Sequence, residues 1–385
     1  MQTILKSPDQ PLLKLAYQPP NGGFLLVLLK SGRGHLQQLM GIPEIVSDIC
    51  YHLHHLTPST PHFFTFVFMT KNTHIEHPED SILTGDLSVL DAFLMPLILS
   101  LKIDGAPAIV WGRNPATGCQ FVGTKSVFNK NKIIICETPS DIEKHYAHKP
   151  ALEKILMWCM ASLPITKNIY QGDFIGFGGS KNYRPNTLTY CFSETVESKI
   201  IIAPHTKYFA VNDLRDAIAM PLTEKLESGE HVRYIQPKAY ISNGFEGGST
   251  DTFTNVCSDL IEYARNMVTC VNFVNEKTAK KIKSNLNYLI REGKDIIPSH
   301  FEEAGLCDAN LIELWDTVRE IKHLALNACR DDSDFITHVM GDPEPIQGEG
   351  YVMVSRFGYF KLVNRRAFSY ANFQNSRFAP MTLKA

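Results

Sequence analysis

The sequence predicts an α+β protein, with antiparallel strands at the front and tail of the chain and a mainly helical stretch between them. Three observations lead there. Short runs rich in aromatic and β-branched residues, separated by Gly, Pro and Asn, fill much of the first 210 residues. From 211 to about 341 the apolar residues recur at helical spacing. Two strand-like runs, Tyr351–Ser355 and Tyr359–Val363, then flank a bend at Arg356–Gly358. The expected division is 1–210 for the front of a sheet-rich core, 211–341 for a helical insertion or subdomain, and 342–385 for strands completing the core.

Composition narrows the function classes. At 385 residues the chain suggests two domains or one elaborated domain, and 44% hydrophobic content is enough for a full core. A formal net charge of −2 argues against a protein that coats nucleic acid, but it leaves room for a local basic groove. Nine cysteines lie without a C-x-x-C pair, as expected of reduced core thiols in a cytoplasmic protein. The opening residues lack a basic start followed by an apolar run, so no secretory signal is expected. No stretch of roughly 18 uninterrupted apolar residues exists, so no membrane span is expected either.

Taken in order, Leu12–Leu29 reads as strand, turn and strand, broken at Pro19–Gly23. Gly32–Gly34 lacks the rest of a phosphate loop and reads as a tight turn. Ile42–Leu56 has helical spacing, with His52, His54 and His55 near its end. No carboxylate or cysteine completes a metal set there, so these histidines are expected to favour the helix C-terminus. Phe63–Met69 reads as a buried strand. His74–Asp80 is either a metal- or phosphate-binding cluster or a polar connection to a helix starting near Asp86. Ala108–Trp111 and Phe121–Val127 should be strands around the Asn114–Gly118 turn. Lys149–Leu163 should be a helix, and Tyr170–Phe177, Thr187–Phe192 and Lys199–Ala203 strands. Helical spacing marks Leu214–Leu226, Phe253–Phe273, Lys277–Arg291 and Leu311–Cys329, with Gly244–Ser249 as a flexible joint. Lys277, Lys280, Lys281 and Lys283 make the third of these helices basic; a solvated face and a contact surface for a phosphate backbone are both open.

The chemistry centres on Lys102–Pro107, K-I-D-G-A-P. Leu97, Ile98, Leu99 and Leu101 read as a buried lead-in, so Lys102 should emerge at the edge of a packed element. Gly105 would let the backbone turn close to a ligand. A lysine amine is a poor nucleophile at its usual pKa of roughly 10.4. Burial and nearby positive charge free its lone pair, allowing attack on the α-phosphate of a nucleotide.

The order K-x-D-G at Lys102–Gly105, G-D-F at Gly172–Phe174, E-G-Y-V at Glu349–Val352 and a strand lysine, Lys361, resembles the covalent nucleotidyltransferase superfamily of DNA and RNA ligases and mRNA-capping enzymes. With Gly123–Lys130, G-T-K-S-V-F-N-K, the pattern is also similar to ligase-like proteins encoded by tailed phages, over roughly 71–373. The resemblance implies an ATP-grasp-like nucleotidyltransferase core of antiparallel sheets flanked by helices, with a helical insertion longer than in ordinary ligases. Only about twenty residues follow Lys361. That leaves no room for a C-terminal OB-fold, and the layout is closer to RNA ligases.

It also implies roles. Lys102 would form a lysyl-AMP with ATP. Glu349 would orient that lysine or coordinate Mg²⁺ (or Mn²⁺), and Lys361 would neutralise the α-phosphate. Asp104, Gly105, Arg113 and Lys125 would contact the nucleotide. Asp173 would hold the ribose or a metal-bound water, although glutamate is commoner there. Tyr190 or Phe192 would stack on the base. A second strand lysine is replaced by Val363, so Arg365 or Arg366 would stand in. The acceptor would be a nucleic-acid 5′-phosphate end, RNA favoured. Alternatives are a capping-type or protein-modifying nucleotidyltransferase, or a catalytically degenerate nucleotide- or nucleic-acid-binding protein.

Overall fold

In the computed structural model the residues leading to Lys102 form an edge strand, Ile98–Leu101, and its alternation sets up the rest. Leu97, Leu99 and Leu101 pack on a helical core, whereas Ile98 is 61% exposed. The lead-in is therefore buried on one face only, and the expected burial of Ile98 does not occur. The structure describes residues 3–6, 12–17, 25–30, 75–95, 97–242, 251–339, 344–346, 348–355 and 357–365, with the backbone alone for the first three stretches and for 251–256. The expected turn at Gly32–Gly34, the helix with His52, His54 and His55, the Phe63–Met69 strand, the Gly244–Ser249 joint and Arg366 lie outside the described residues.

The architecture is mixed α and β, with mainly antiparallel sheets. Near the front, Thr3–Lys6, Leu12–Tyr17 and Leu25–Lys30 pair in sequence as a meander. The large sheet runs Ile218–Pro221, Ile200–Phe209, Ile169–Phe177, Ala108–Arg113 and Gln120–Gly123, with Val232–Tyr234 added in parallel to Ile200–Phe209. The small sheet pairs Ile98–Leu101 with Gly350–Ser355, and that strand with Gly358–Val363. A third sheet joins Leu188–Phe192 to Phe335–Val339.

Each sheet buries a face because its side chains alternate. The back of the large sheet carries Ile109, Trp111, Tyr170 and Phe174 against Ile142, Leu156 and Cys159, on the helices Pro139–Tyr146 and Pro150–Ser162. Thr138 caps the first of these through a reciprocal box with Asp141. The back of the small sheet carries Tyr351, Met353, Phe360 and Leu362 against the helical core around Trp315, Val318 and Ile321. That core joins the helices Asp251–Met267, Glu276–Arg291, Pro298–Ala304 and Ala309–Ala328.

Several element boundaries differ from the expectations. Leu214–Leu226 is not a helix. It forms a single 3-10 turn, Leu214–Asp216, and the edge strand Ile218–Pro221. Pro221 lacks the amide a helix interior needs, and strand pairing with Thr206–Phe209 supplies the alternative. Phe121–Val127 is a strand only to Gly123, then a 3-10 turn at Lys125–Phe128. A Cβ at Gly123 would sit 2.5 Å from Val127, so the chain turns where no side chain fits. The helical run from Phe253 ends at Met267, followed by a 3-10 turn.

Candidate functional site

The free faces of the two sheets meet across a cleft of about 490 Å³. Period-two geometry decides which side chains line it. On the small sheet Val352 pairs with Ser100 on one side and Lys361 on the other. Residues directly opposite on neighbouring strands share a face, so Ser100, Val352 and Lys361 form one row. Tyr359 and Val354 form the next, and both line the cleft. The Lys102 amide donates to the Gly350 carbonyl at 2.8 Å, extending this pairing to the lysine. Gly350 has φ 124°, and a Cβ there would lie 2.3 Å from the Leu362 carbonyl oxygen. Only glycine permits that approach.

Lys102 donates to Glu349, 247 positions away in sequence. The Lys102 side chain is 22% exposed and that of Glu349 9%. Burial pushes the Glu349 carboxyl up; the Lys102 ammonium opposes this, and the Asp104 charge adds to it. Lys361 is pushed down, first by burial and then by the neighbouring Lys102 charge, with Glu349 and Glu76 opposing. These mutual effects place Lys102, Glu349 and Lys361 in one electrostatic neighbourhood.

The loop after Lys102 is held from two sides. The Tyr190 hydroxyl accepts from the Asp104 amide at 2.8 Å and donates to the Asp104 carbonyl at 3.1 Å. Asn186 donates to the Asp104 carboxylate. Burial pushes that carboxyl up, while Lys102 and Asn186 oppose the rise. At Gly105 a Cβ would meet the Phe174 carbonyl oxygen at 2.7 Å and Asp173 at 2.9 Å. The glycine thus lets the lysine loop pack on the G-D-F strand. The Ala106 amide donates to Phe174 there, and the Phe174 amide to Pro107, each at 3.0 Å.

The large sheet supplies the opposite wall. Asp173, Gln171 and His205 line the cleft, with Lys125 from the 3-10 turn. His205 Nε2 is 3.9 Å from Asp173 and 3.4 Å from the Gln171 amide nitrogen. The Tyr208 hydroxyl donates to Gln171 at 2.7 Å and fixes its orientation.

Of the expected residues, Lys102, Lys125 and Asp173 line the cleft. Glu349 pairs with Lys102, Lys361 shares the row of Val352 and Ser100, and Asp104 and Gly105 form the loop after Lys102. Arg113 does not. It ends the Ala108–Arg113 strand, five residues beyond the position paired with Asp173. At about 3.3 Å per residue that is roughly 16 Å along the strand. Tyr190 and Phe192 are buried, edge-on or tilted against Phe335, and neither offers a face to a base. Val363 is core. Arg365 is no substitute for the missing lysine: it donates to Glu79 at 3.1 Å, to Asp80 at 2.9 Å and to Asn287 at 2.7 Å, in a buried network away from the cleft.

That network resolves the His74–Asp80 segment in part. Lys322 donates to Glu79 at 2.6 Å, both essentially inaccessible, and Trp315 Nε1 donates to Asp80 at 3.3 Å. Despite the burial, Lys322 and Arg365 hold the Glu79 carboxyl well below the usual range. The H-P-E-D stretch is thus a buried ionic anchor. Its neighbour Glu76 lines the cleft, and the Glu76 carbonyl accepts from the Lys361 amide at 2.9 Å.

Among the described residues no three His, Cys, Asp or Glu side chains converge into a metal site. Mg²⁺ usually needs only one or two carboxylates plus phosphate oxygens and water. Glu349 and Asp173, oxygen donors at this cleft, fit that partial role. Sequence reading missed Tyr190 as a loop clamp and His205 with Gln171, and reached Glu76 only within the His74–Asp80 cluster. The signal for His205 was weak: polarity begins only after Pro204 in an otherwise apolar strand, I-I-I-A-P-H-T-K-Y-F.

Compared with known families, the chain matches one described as a family of unknown function (DUF6267), over residues 72–308 and 299–377. No curated protein and no solved structure matches it. Among the described residues no helix is long and apolar enough to cross a membrane.

Proposed function

Because the chain belongs to the DUF6267 family, whose function is unknown, its activity must be read from the cleft, and we propose that it is an ATP-dependent, RNA ligase-like nucleotidyltransferase. The observation that carries this reading is the Lys102–Glu349 pair at the cleft Lys102 lines, with Lys361 in the strand row of Val352 and Ser100 that lines the same cleft. The core is then an ATP-grasp-like nucleotidyltransferase core, with 251–328 as its helical addition.

The first step runs as follows. The Lys102 Nζ lone pair forms a P–N bond to the α-phosphorus of ATP. The bond from that phosphorus to the bridging oxygen breaks, and pyrophosphate leaves. Glu349, paired with Lys102 and held at raised pKa by burial, receives the proton the amine loses. Lys361 neutralises charge developing on the α-phosphate oxygens. Asp104 and Gly105 keep the nucleophile loop against the G-D-F strand. Asp173 and, when not carrying the proton, Glu349 would hold a Mg²⁺ or Mn²⁺ ion, which would supply charge neutralisation for the departing pyrophosphate. Lys125 reaches the same phosphates from the rim. In the second step a nucleic-acid 5′-phosphate oxygen takes the AMP, the P–N bond breaks, and Lys102 regains its proton. A 3′-hydroxyl then displaces AMP and seals the strand.

The test is incubation with α-labelled ATP and Mg²⁺, then denaturation. Label should stay on the chain and vanish in Lys102→Ala. No label with ATP or GTP, under either metal, would overturn the assignment, and label in Lys102→Ala would move the nucleophile elsewhere. The core position of Val363 and the sequestered Arg365 favour a second reading, a fold that holds nucleotide without chemistry. It predicts ATP binding with no adduct. Preference for GTP would indicate the capping-type alternative.

A further inference from the structure

Away from the cleft, the Glu276–Arg291 helix borders an open groove of about 830 Å³. At 100° per residue, Lys277, Lys281, Ser284 and Tyr288 fall on one stripe, with Lys280 beside it. The buried stripe, Ala279, Ile282, Leu286 and Leu289, faces the helical core. Lys277, Lys280 and Lys281 are exposed, and none of the ion pairs among the described residues engages them. Tyr288 is 57% exposed. Glu303 is the one acid among the described lining residues. On the next face round, Lys283 pairs with Glu76 at 3.4 Å, and Glu76 lines the nucleotide cleft. One helix thus spans from the groove to the cleft.

We infer that this groove binds single-stranded nucleic acid and leads its end toward Lys102. The chemistry selects that ligand. Point-charge ammonium groups spaced along a helix suit a run of phosphates. A flat exposed phenol ring among them suits an unstacked base, whatever its identity. A duplex would offer no free base to that ring, and an acidic protein is the rival that competition by polyglutamate measures. The inference deepens the proposed function and rests on it for the direction of the strand, but binding itself is measured separately from chemistry.

The experiment is fluorescence anisotropy of a labelled, 5′-phosphorylated single-stranded RNA of about a dozen nucleotides, within the usual span of such sites, titrated with the full chain across a salt series. Tyr288→Ala should weaken binding by about fivefold to a hundredfold. The triple change Lys277→Ala, Lys280→Ala, Lys281→Ala should lower the slope of log affinity against log salt by roughly 2. Glu303→Gln should bind a few times more tightly, a gain that misfolding cannot imitate. Ultraviolet cross-linking of the RNA should mark the peptide containing Tyr288. Unchanged affinity and slope in the triple variant would overturn the inference, as would cross-links confined to other helices or equal competition by polyglutamate. If the chain forms no lysyl adduct yet passes these tests, the groove stands and the ligase reading falls.

Discussion

At the scale of single residues, the proposed chemistry involves two groups displaced in opposite directions by burial. Glu349 is raised and Lys361 lowered. In the proposed step adduct formation needs Glu349 ionised and Lys361 charged, so its rate should form a bell in pH. The acid limb should lie above the ordinary glutamate value of 4.5 and the alkaline limb below the ordinary lysine value of 10.5. Lys361→Arg keeps the charge at all accessible pH. It should therefore move the alkaline limb upward in single-turnover labelling. Glu349→Gln should slow labelling by about a hundredfold or more while ATP binding persists. An alkaline limb that stays put in Lys361→Arg would remove Lys361 from the step.

At the scale of elements, backbone contact decides what the lysine loop can do. Tyr190 contributes two hydrogen bonds to Asp104, each about 1 kcal/mol net. Gly105 contributes absence: a methyl there would lie 2.7 Å from the Phe174 carbonyl oxygen, backbone of the Ile169–Phe177 strand that cannot swing aside, besides 2.8 Å from the Ile175 Cδ1 and 2.9 Å from the Asp173 Cβ. Gly105→Ala should therefore displace Lys102 and cost about 1–3 kcal/mol of stability. Adduct formation should fall far more than overall folding does, by denaturant midpoint against labelling rate. Equal losses in both would mean that the glycine serves the fold alone. The buried ionic anchor is a second such device. It ties the segment carrying Glu76 to the end of the strand carrying Lys361 through Glu79, Lys322 and Arg365. Removing one partner leaves an uncompensated buried charge, so Glu79→Gln should cost about 3–5 kcal/mol. A loss under about 1 kcal/mol would show that water reaches the site.

At the scale of the whole molecule, acid stability follows from the same anchor. His77 is lowered to about 2, first by burial and then by the Arg365 charge, and its buried Nδ1 has no hydrogen-bond partner among the described residues. A depressed histidine contributes stability that is full above its unfolded value of 6.5 and is lost progressively as pH falls from there to the folded value of about 2. Glu79, also depressed, adds its loss below the ordinary carboxylate range. The folded chain should weaken by about 1.4 kcal/mol per pH unit once pH drops below the histidine range. Denaturant titrations at successive pH values should show this slope, and His77→Gln should abolish its upper part. A flat profile between neutral pH and the carboxylate range would mean that His77 protonates in place.

Motif order in the sequence singled out Lys102, Glu349 and Lys361 as a set, and alternation marked the strands Ala108–Arg113, Gly350–Ser355 and Gly358–Val363 near them. They also determined the helical character of 276–291 and 309–328, because periodicity is local and survives without neighbours. Tertiary structure alone decided which polar residues share a cavity. Arg113 and Arg365 had the right type at plausible spacing, yet one lies at the far end of a strand and the other pairs with Glu79 and Asp80. Tyr190 became a clamp because its hydroxyl meets Asp104, 86 positions away. Such choices are made by long-range packing, where burial leaves a polar group tolerable only beside its partner, and no local pattern encodes which partner arrives.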